Sequence, residues 1–206
     1  MLVAASCSLD GGLPDAALMV RNAALASGSI HSAHVVLESD GAVPGLPVRR
    51  IDADLTTGHT NAAKGSIKPI LGPPMDFVSL DGALYTKSPS GTFAPANARV
   101  IQLPNLLDPD RGLAHVLANI RQPKTVDRED RLGIDSFKVT GVVPAEDIEQ
   151  LLPDVRTDAN MTIWLRVKGT HVPVDTTLTF PNTTSLLDIK FSDVNKQVTI
   201  TTPELR

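Results

Sequence analysis

Aromatic side chains are scarce in this chain: of 206 residues, one is Trp, one is Tyr and five are Phe. A domain of this length ordinarily fills its core with bulky rings, each covering ~150–250 Å². Cysteine is scarcer still. Cys7 stands alone, which excludes an internal disulfide framework. No run of about eighteen apolar residues occurs, so no segment reads as a membrane-spanning helix. The formal net charge is -4 and no basic stripe is present, which argues against nucleic acid as the main partner. The catalytic signatures G-x-S-x-G and H-E-x-x-H, the P-loop, and G-x-G-x-x-G at a strand–helix turn are all missing.

What the chain has instead is alternation. Short runs with apolar residues at every second position recur from about Ile30 to Ile200, the pattern of strands with one greasy face. The inward positions are mostly Ala, Val, Leu and Ile. A broad sheet lined with small aliphatics has two readings. Either its interior stays unfilled and suits a greasy ligand, or the aliphatics pack on each other in the ordinary way. Gly and Pro are scattered as turn punctuation rather than gathered into a linker, which points to one domain.

The segment Met1-Leu2-Val3-Ala4-Ala5-Ser6-Cys7 reads as the end of a signal peptide closed by a lipoprotein cleavage box. Small residues before the cysteine let a peptidase approach the backbone, and Ser8 to Gly12 follow as a polar tether. Ala4 stands where Leu is usual, and the basic and most of the apolar regions of a leader are not written, so the true start is expected upstream. Residues 1–12 are thus expected to be leader remnant, box and tether, with Cys7 lipidated. The plainer alternative is a small Cys at a frayed terminus.

Along the chain, Leu13 to Ser27 predicts an Ala-rich helix with Pro14 and Asp15 in its first turn, Gly28 at its end, and Leu18, Ala24 and Leu25 on a core-facing flank. Strands follow. Ala33, Val35 and Leu37 oppose His34, Val36 and Glu38. Ile51, Ala53 and Leu55 oppose Arg50, Asp52 and Asp54, and Gly65 and Ile67 oppose Lys64 and Lys68. A hairpin turns at Asp81-Gly82. Asp110 is expected to cap a helix from Arg111 to Ile120, with Leu113, Val116, Leu117 and Ile120 on one stripe. Strands resume at Thr125–Arg131 and Ile134–Val142. Pro144 opens a short helix to Leu152. Four more strands are expected near Met161–Val167, Val174–Phe180, Ser185–Ser192 and Gln197–Thr201. Short links between strands imply an antiparallel sheet with helices on one face, an α+β domain.

Polar clusters read as structural. His31 and His34 fall on opposite faces of a strand. His115, on a helix, faces solvent or a cavity mouth. Asp52 and Asp54 share a solvent face, Asp108-Pro109-Asp110 reads as helix initiation, and Glu129 and Asp130 beside Arg128 and Arg131 read as a solvated hairpin. No metal, cofactor or catalytic group is expected.

An ordered set of segments carries a family likeness. It includes His31-Ser32-Ala33-His34-Val35-Val36-Leu37, Val43-Pro44-Gly45-Leu46, Asp52-Ala53-Asp54-Leu55-Thr56, Ala62-Ala63-Lys64-Gly65 and Asp81-Gly82-Ala83-Leu84-Tyr85. Its best stretch is Leu106-Leu107-Asp108-Pro109-Asp110-Arg111-Gly112-Leu113-Ala114-His115-Val116-Leu117-Ala118-Asn119, and Lys138-Val139-Thr140-Gly141 and Thr162-Ile163-Trp164-Leu165 follow. In this order and spacing, from about Pro14 to Pro203, the chain resembles the mycobacterial LppX/LprA/LprF/LprG lipoprotein family. Ser192-Asp193-Val194-Asn195 stands where that family tends to carry Ser-x-Trp-Gly, and Val172 to Thr184 matches less well.

The resemblance implies a strongly curved antiparallel half-barrel with helices on its concave side, enclosing an apolar cavity for the acyl chains of lipids or glycolipids. It implies a carrier rather than an enzyme. The expected setting is the cell envelope: anchored through Cys7 at the outer face of the cytoplasmic membrane or partly released, monomeric, with an envelope transporter as a candidate partner. Residues 13–206 then form one lipid-binding domain. On this reading Val35, Leu37, Ile51, Ala53, Leu55, Gly65, Ile67 and Phe77 line the concavity, and Leu106, Leu107, Leu113, Val116, Leu117 and Ile120 cover it. The alternative is a surface-exposed binding or antigen module with a filled core.

Overall fold

Alternation becomes sheet almost throughout the chain. The structure, a computed structural model, describes residues 12–58, 60–96, 103–181 and 183–205. The strands are β1 (Ser32–Asp40), β2 (Val48–Thr56), β3 (Ala62–Pro69), β4 (Met75–Leu80), β5 (Ala83–Lys87), β6 (Phe93–Pro95), β7 (Arg121–Arg131), β8 (Ile134–Val143), β9 (Ala159–Arg166), β10 (Pro173–Thr179) and β11 (Leu186–Ser192). They form one sheet in the order β6-β5-β4-β3-β2-β1-β11-β10-β9-β8-β7. Every neighbouring pair is antiparallel. Two meanders, β1–β6 and β7–β11, are thus joined at the centre by the β1–β11 ladder.

This topology places the helices. The link from β6 to β7 connects opposite edges of the sheet, so it has to cross one face. It carries a 3-10 turn, Leu103–Leu107, and helix α2 (Leu113–Asn119). Helix α1 (Ala16–Gly28) packs on α2 and β7, and the short α3 (Ala145–Ile148) packs against α2. The architecture is therefore the expected α+β half-barrel with helices on the concave side.

Register explains the curvature. Phe191, Val35, Ala53, Gly65 and Phe77 are successive partners across β11, β1, β2, β3 and β4. Side chains in this row shrink to nothing at Gly65, where β3 closes on β2. A Cβ on Gly65 would lie 2.0 Å from the Asp52 carbonyl oxygen and 2.6 Å from Ala53 Cα. Backbone cannot give way as a flexible side chain would. Gly65→Val is therefore expected to destabilise the fold by at least ~3 kcal/mol through strand displacement. A urea midpoint within experimental error of the parent's would refute this reading.

The expected strand faces hold. Val35, Leu37, Ile51, Ala53, Leu55, Ile67 and Phe77 are buried, while Lys64 and Lys68 are exposed and Arg50 and Asp52 lie half-exposed on the convex side. Three local expectations are corrected. On α1, Leu18 is 50% and Leu25 72% exposed; the core stripe is Ala16, Met19, Val20, Ala23 and Ala24. Small residues win because α1 lies close on α2, with the Gly28 Cβ position 3.7 Å from both Ala114 Cβ and Pro109 Cβ. Asp110 is not a cap. Asp108 Oδ1 accepts from the Asp110 N–H at 2.9 Å and its other oxygen from Arg111 at 2.7 Å, while Gly112 occupies the N-cap of a shorter α2. Only glycine fits there, because a Cβ would meet the carbonyl oxygens of Asn105 and Leu106 at 2.4 Å. Finally, Gln197–Thr201 is not a strand. The segment leaves the sheet after Asn195 donates its N–H to the Ser32 carbonyl, and among the described residues it meets β6 in a single Phe93–Leu205 bridge.

Candidate apolar site beneath the helices

Two apolar layers meet on the concave side. The sheet contributes Leu37 from β1, Val143 from β8, Met161 from β9, Thr176 and Leu178 from β10, and Leu187 and Ile189 from β11. The cover contributes Leu103 and Leu106 from the 3-10 turn, Leu113 and Val116 from α2, and Ile148, Leu151 and Leu152 from α3 and the turn after it. Thr176 is the one polar residue among them. The space left between the layers is about 50 Å³, room for roughly two water- or methylene-sized groups. The interior is narrow here, with leucines of the cover and of the sheet lining the same small space.

The residues expected to line the concavity divide into four groups. Leu37, Leu106, Leu113 and Val116 border the space. Val35, Ile51, Ala53, Leu55, Ile67, Phe77, Leu107 and Leu117 belong to the same buried cluster but pack on one another away from it. Gly65 presents no side chain. Ile120, half-buried at the end of α2, fits over Gly141, whose Cβ position is 2.6 Å from Ile120 Cδ1. The sheet residues not anticipated, Val143, Met161, Thr176, Leu178, Leu187 and Ile189, sit on strands whose alternation is plain in the sequence. Their nearness to the cover follows from the central β1–β11 pairing.

The cover is held by few polar ties. His115 Nε2 on α2 lies 2.8 Å from Asp147 Oδ1 on α3, and Asn119 Nδ2 donates to the same oxygen at 3.3 Å. His115 thus ties the two short helices together while part of its ring stays exposed along the open groove outside the cover, and it does not border the inner space. Outside the cover, an open groove of about 1120 Å³ runs between α1 and α2. Leu18, Leu25, Arg21 and Asp110 stand along it, and Leu117 and Val20 form part of its floor.

The convex side is polar and cross-linked. His34 lies 2.9 Å from Asp54 and 3.3 Å from Asp52. Arg50 pairs with Glu38 and Asp52, and Lys190 donates to Glu38 at 2.6 Å. The Lys190 hydrogen bond is the main cause holding the Glu38 carboxyl below its ordinary value. Near the other edge, Arg131 donates to Asp175 at 2.6 Å and lies 4.1 Å from the Trp164 ring centre, and Trp164 Nε1 donates to Glu129 at 2.6 Å. Asp175 is fully buried, and one of its oxygens has no hydrogen-bond partner among the described residues. Burial, then the charge of Asp188, push its carboxyl above the ordinary value, against the pull of Arg131.

Cys7 lies outside the described residues, so the expected lipidation site has no structural counterpart here.

Comparison with known proteins agrees with this architecture. The sequence profile of the LppX_LprAFG lipoprotein family matches residues 15–200. The lipoarabinomannan carrier protein LprG of Mycobacterium tuberculosis is 37% identical over 169 residues, covering 78% of this chain and 71% of the relative. LprG of Mycobacterium leprae is 31% identical over 203 residues, covering 95% and 85%. Among solved structures, LprF from Mycobacterium bovis superposes with a TM-score of 0.81 at 24% identity over 93% of this chain and 99% of that one. Lipoprotein LppX of Mycobacterium tuberculosis superposes with a TM-score of 0.72 at 20% identity over 90% and 97%. At those identities the two structures establish the shared fold alone.

Proposed function

Since the chain belongs to the LppX_LprAFG lipoprotein family, we propose that it binds acylated lipids or glycolipids between sheet and helices and carries them between layers of the cell envelope. One observation carries this reading: apart from Thr176 the inner space is walled by apolar side chains on both sides, and one wall is a cover of short helices. The LprG relatives, named as lipoarabinomannan carriers, support the ligand class. In this reading the chain is not an enzyme, since its role is to shield acyl chains from water rather than to cut them.

The narrow space has to widen for this. Burying a methylene gives ~0.8 kcal/mol, so a sixteen-carbon chain offers on the order of 12 kcal/mol gross. Chain ordering and lost translation take back much of that. Lifting the cover re-exposes leucines that the lipid then covers again, so the net cost is mainly that of breaking the His115–Asp147 clasp and reordering two short helices. An apo form narrowed by its own side chains and a loaded form filled by lipid are two fillings of one wall.

Native mass spectrometry tests the reading. The purified chain, incubated with diacylated and triacylated glycolipids in detergent, is expected to gain their mass and to deliver them to acceptor vesicles. The second reading, a surface-exposed binding or antigen module, is favoured by the small size of the space. It predicts no lipid adduct under the same conditions.

Placement in the envelope rests on the lipoprotein family and on the box ending at Cys7. Produced with a secretion leader in a bacterial host, the protein is expected to fractionate with membranes, and Cys7→Ala is expected to move it to the soluble fraction. Stable attachment takes more than one acyl chain, which a multiply acylated cysteine supplies. A Cys7→Ala form that stays on the membrane after a high-salt wash would show that something else holds it. An envelope transporter is the natural partner for loading or unloading such a carrier, and the monomer is the working unit, since the apolar walls are satisfied within one chain.

A further inference from the structure

Thr176 sits in the wrong company for a hydroxyl. It is 1% exposed, it borders the inner space, and its Oγ1 has no hydrogen-bond partner among the described residues. Its cross-strand partners are Ile163 on β9 and Ile189 on β11, both buried. Every other residue around the space is apolar. Valine has the same shape and at least the same strand preference, and it would spare the fold a buried unpaired O–H. The protein itself therefore makes no visible use of this oxygen.

We propose that the Thr176 hydroxyl is a polar contact for bound lipid, donating a hydrogen bond to a neutral acceptor oxygen, the carbonyl of an ester-linked acyl chain. This rests on the carrier reading above and deepens it. The acceptor has to be neutral, because no cationic group borders the space to offset a carboxylate. The ligand class is thus the acyl ester rather than the free fatty acid or the plain hydrocarbon. The contact also sets depth. An ester bound at the middle of β10 draws the head end of the lipid under the cover instead of leaving it at a mouth.

The test compares 1,2-dipalmitoylglycerol with 1,2-dihexadecylglycerol, its ether counterpart lacking both carbonyls, on delipidated full-length chain. The parent is expected to bind the ester about tenfold more tightly, the worth of one well-made buried hydrogen bond. Thr176→Val is expected to bring the ester-to-ether ratio to about one, Thr176→Ser to restore the preference, and lipid-free Thr176→Val to melt no lower than the parent. A preference that survives in Thr176→Val overturns the inference. So does a lipid-free Thr176→Val that melts several degrees lower, since the hydroxyl then serves the fold. A parent that takes up lipid with no ester preference overturns the inference alone. A parent that takes up neither lipid overturns the carrier reading and this inference with it.

Discussion

Leu178→Trp is expected to lower lipid loading at least about tenfold while costing the lipid-free fold only ~1–3 kcal/mol. Leu178 is buried on β10 and borders the inner space. An indole there occupies volume that acyl carbons need, and it still buries apolar surface when no lipid is present. The same change at Ile67 is expected to behave differently. Ile67 is 5% exposed, pairs with Ile51 and Met75, and does not border the space. A tryptophan there has nowhere to go and should act on stability first. The two variants together separate a ligand space from a packed core. Parent and Leu178→Trp carrying equal lipid by native mass, with a large fall in melting temperature for the variant, would sink the lipid-site reading.

Arg131→Met is expected to be the most damaging change on the convex side. It leaves the Asp175 carboxylate buried without its cation and strips the guanidinium from the Trp164 face. Removing one partner of a buried pair costs ~3–5 kcal/mol. About 3 kcal/mol is the appropriate figure here, because Arg131 keeps 33% of its side chain in water. Adding Asp175→Asn should recover a good part of the loss, since the uncompensated charge is then gone. The pH dependence has a definite sign. The folded carboxyl of Asp175 titrates above its unfolded value, so its contribution to stability is complete below the unfolded value and is lost as pH rises through the folded one. Removing Arg131 raises the folded value further, so the penalty should be larger at neutral pH than near pH 4. Glu38 works in the opposite direction: its lowered folded value gives stability above the unfolded one that is lost on acidification. Urea unfolding of parent, single and double variants across this range checks both. A pH-independent penalty for Arg131→Met would mean that the lost packing on Trp164, not the stranded charge, dominates.

Much of the architecture could be read before any coordinates because period-two alternation is a local property. Val35 and Leu37 fall on one face and His34 and Glu38 on the other whatever the strand pairs with. The Asp81-Gly82 hairpin is equally local: both residues take positive φ, 46° and 87°, as a two-residue turn requires. The ordered set of segments from His31 to Leu165, with Leu106 to Asn119 its best stretch, carries the family resemblance, and with it the curved sheet and the concave-side helices. Departures arise where a contact that periodicity does not carry decides the outcome. Helical spacing puts Leu18, Ala24 and Leu25 on one flank, but only Ala24 is buried, because the closeness of α1 to α2 admits alanines and turns Leu18 and Leu25 outward. Asp110 had the right residue type for a cap, but Asp108 and the cradle around Gly112 set where α2 starts.

The amino-acid sequence by itself determined which side of each strand is greasy, where the hairpins turn, and that few aromatics are present to fill the concavity. Tertiary structure alone decided which greasy residues face one another. β1 pairs with β11, more than 140 residues away, as in Leu37 with Ile189, and that ladder brings Thr176, Leu178 and Leu187 under the cover while Ala53 and Phe77 pack to one side. Strand alternation says in or out, but not opposite what. The size of the inner space is a difference between two packed surfaces, and only their three-dimensional meeting sets it.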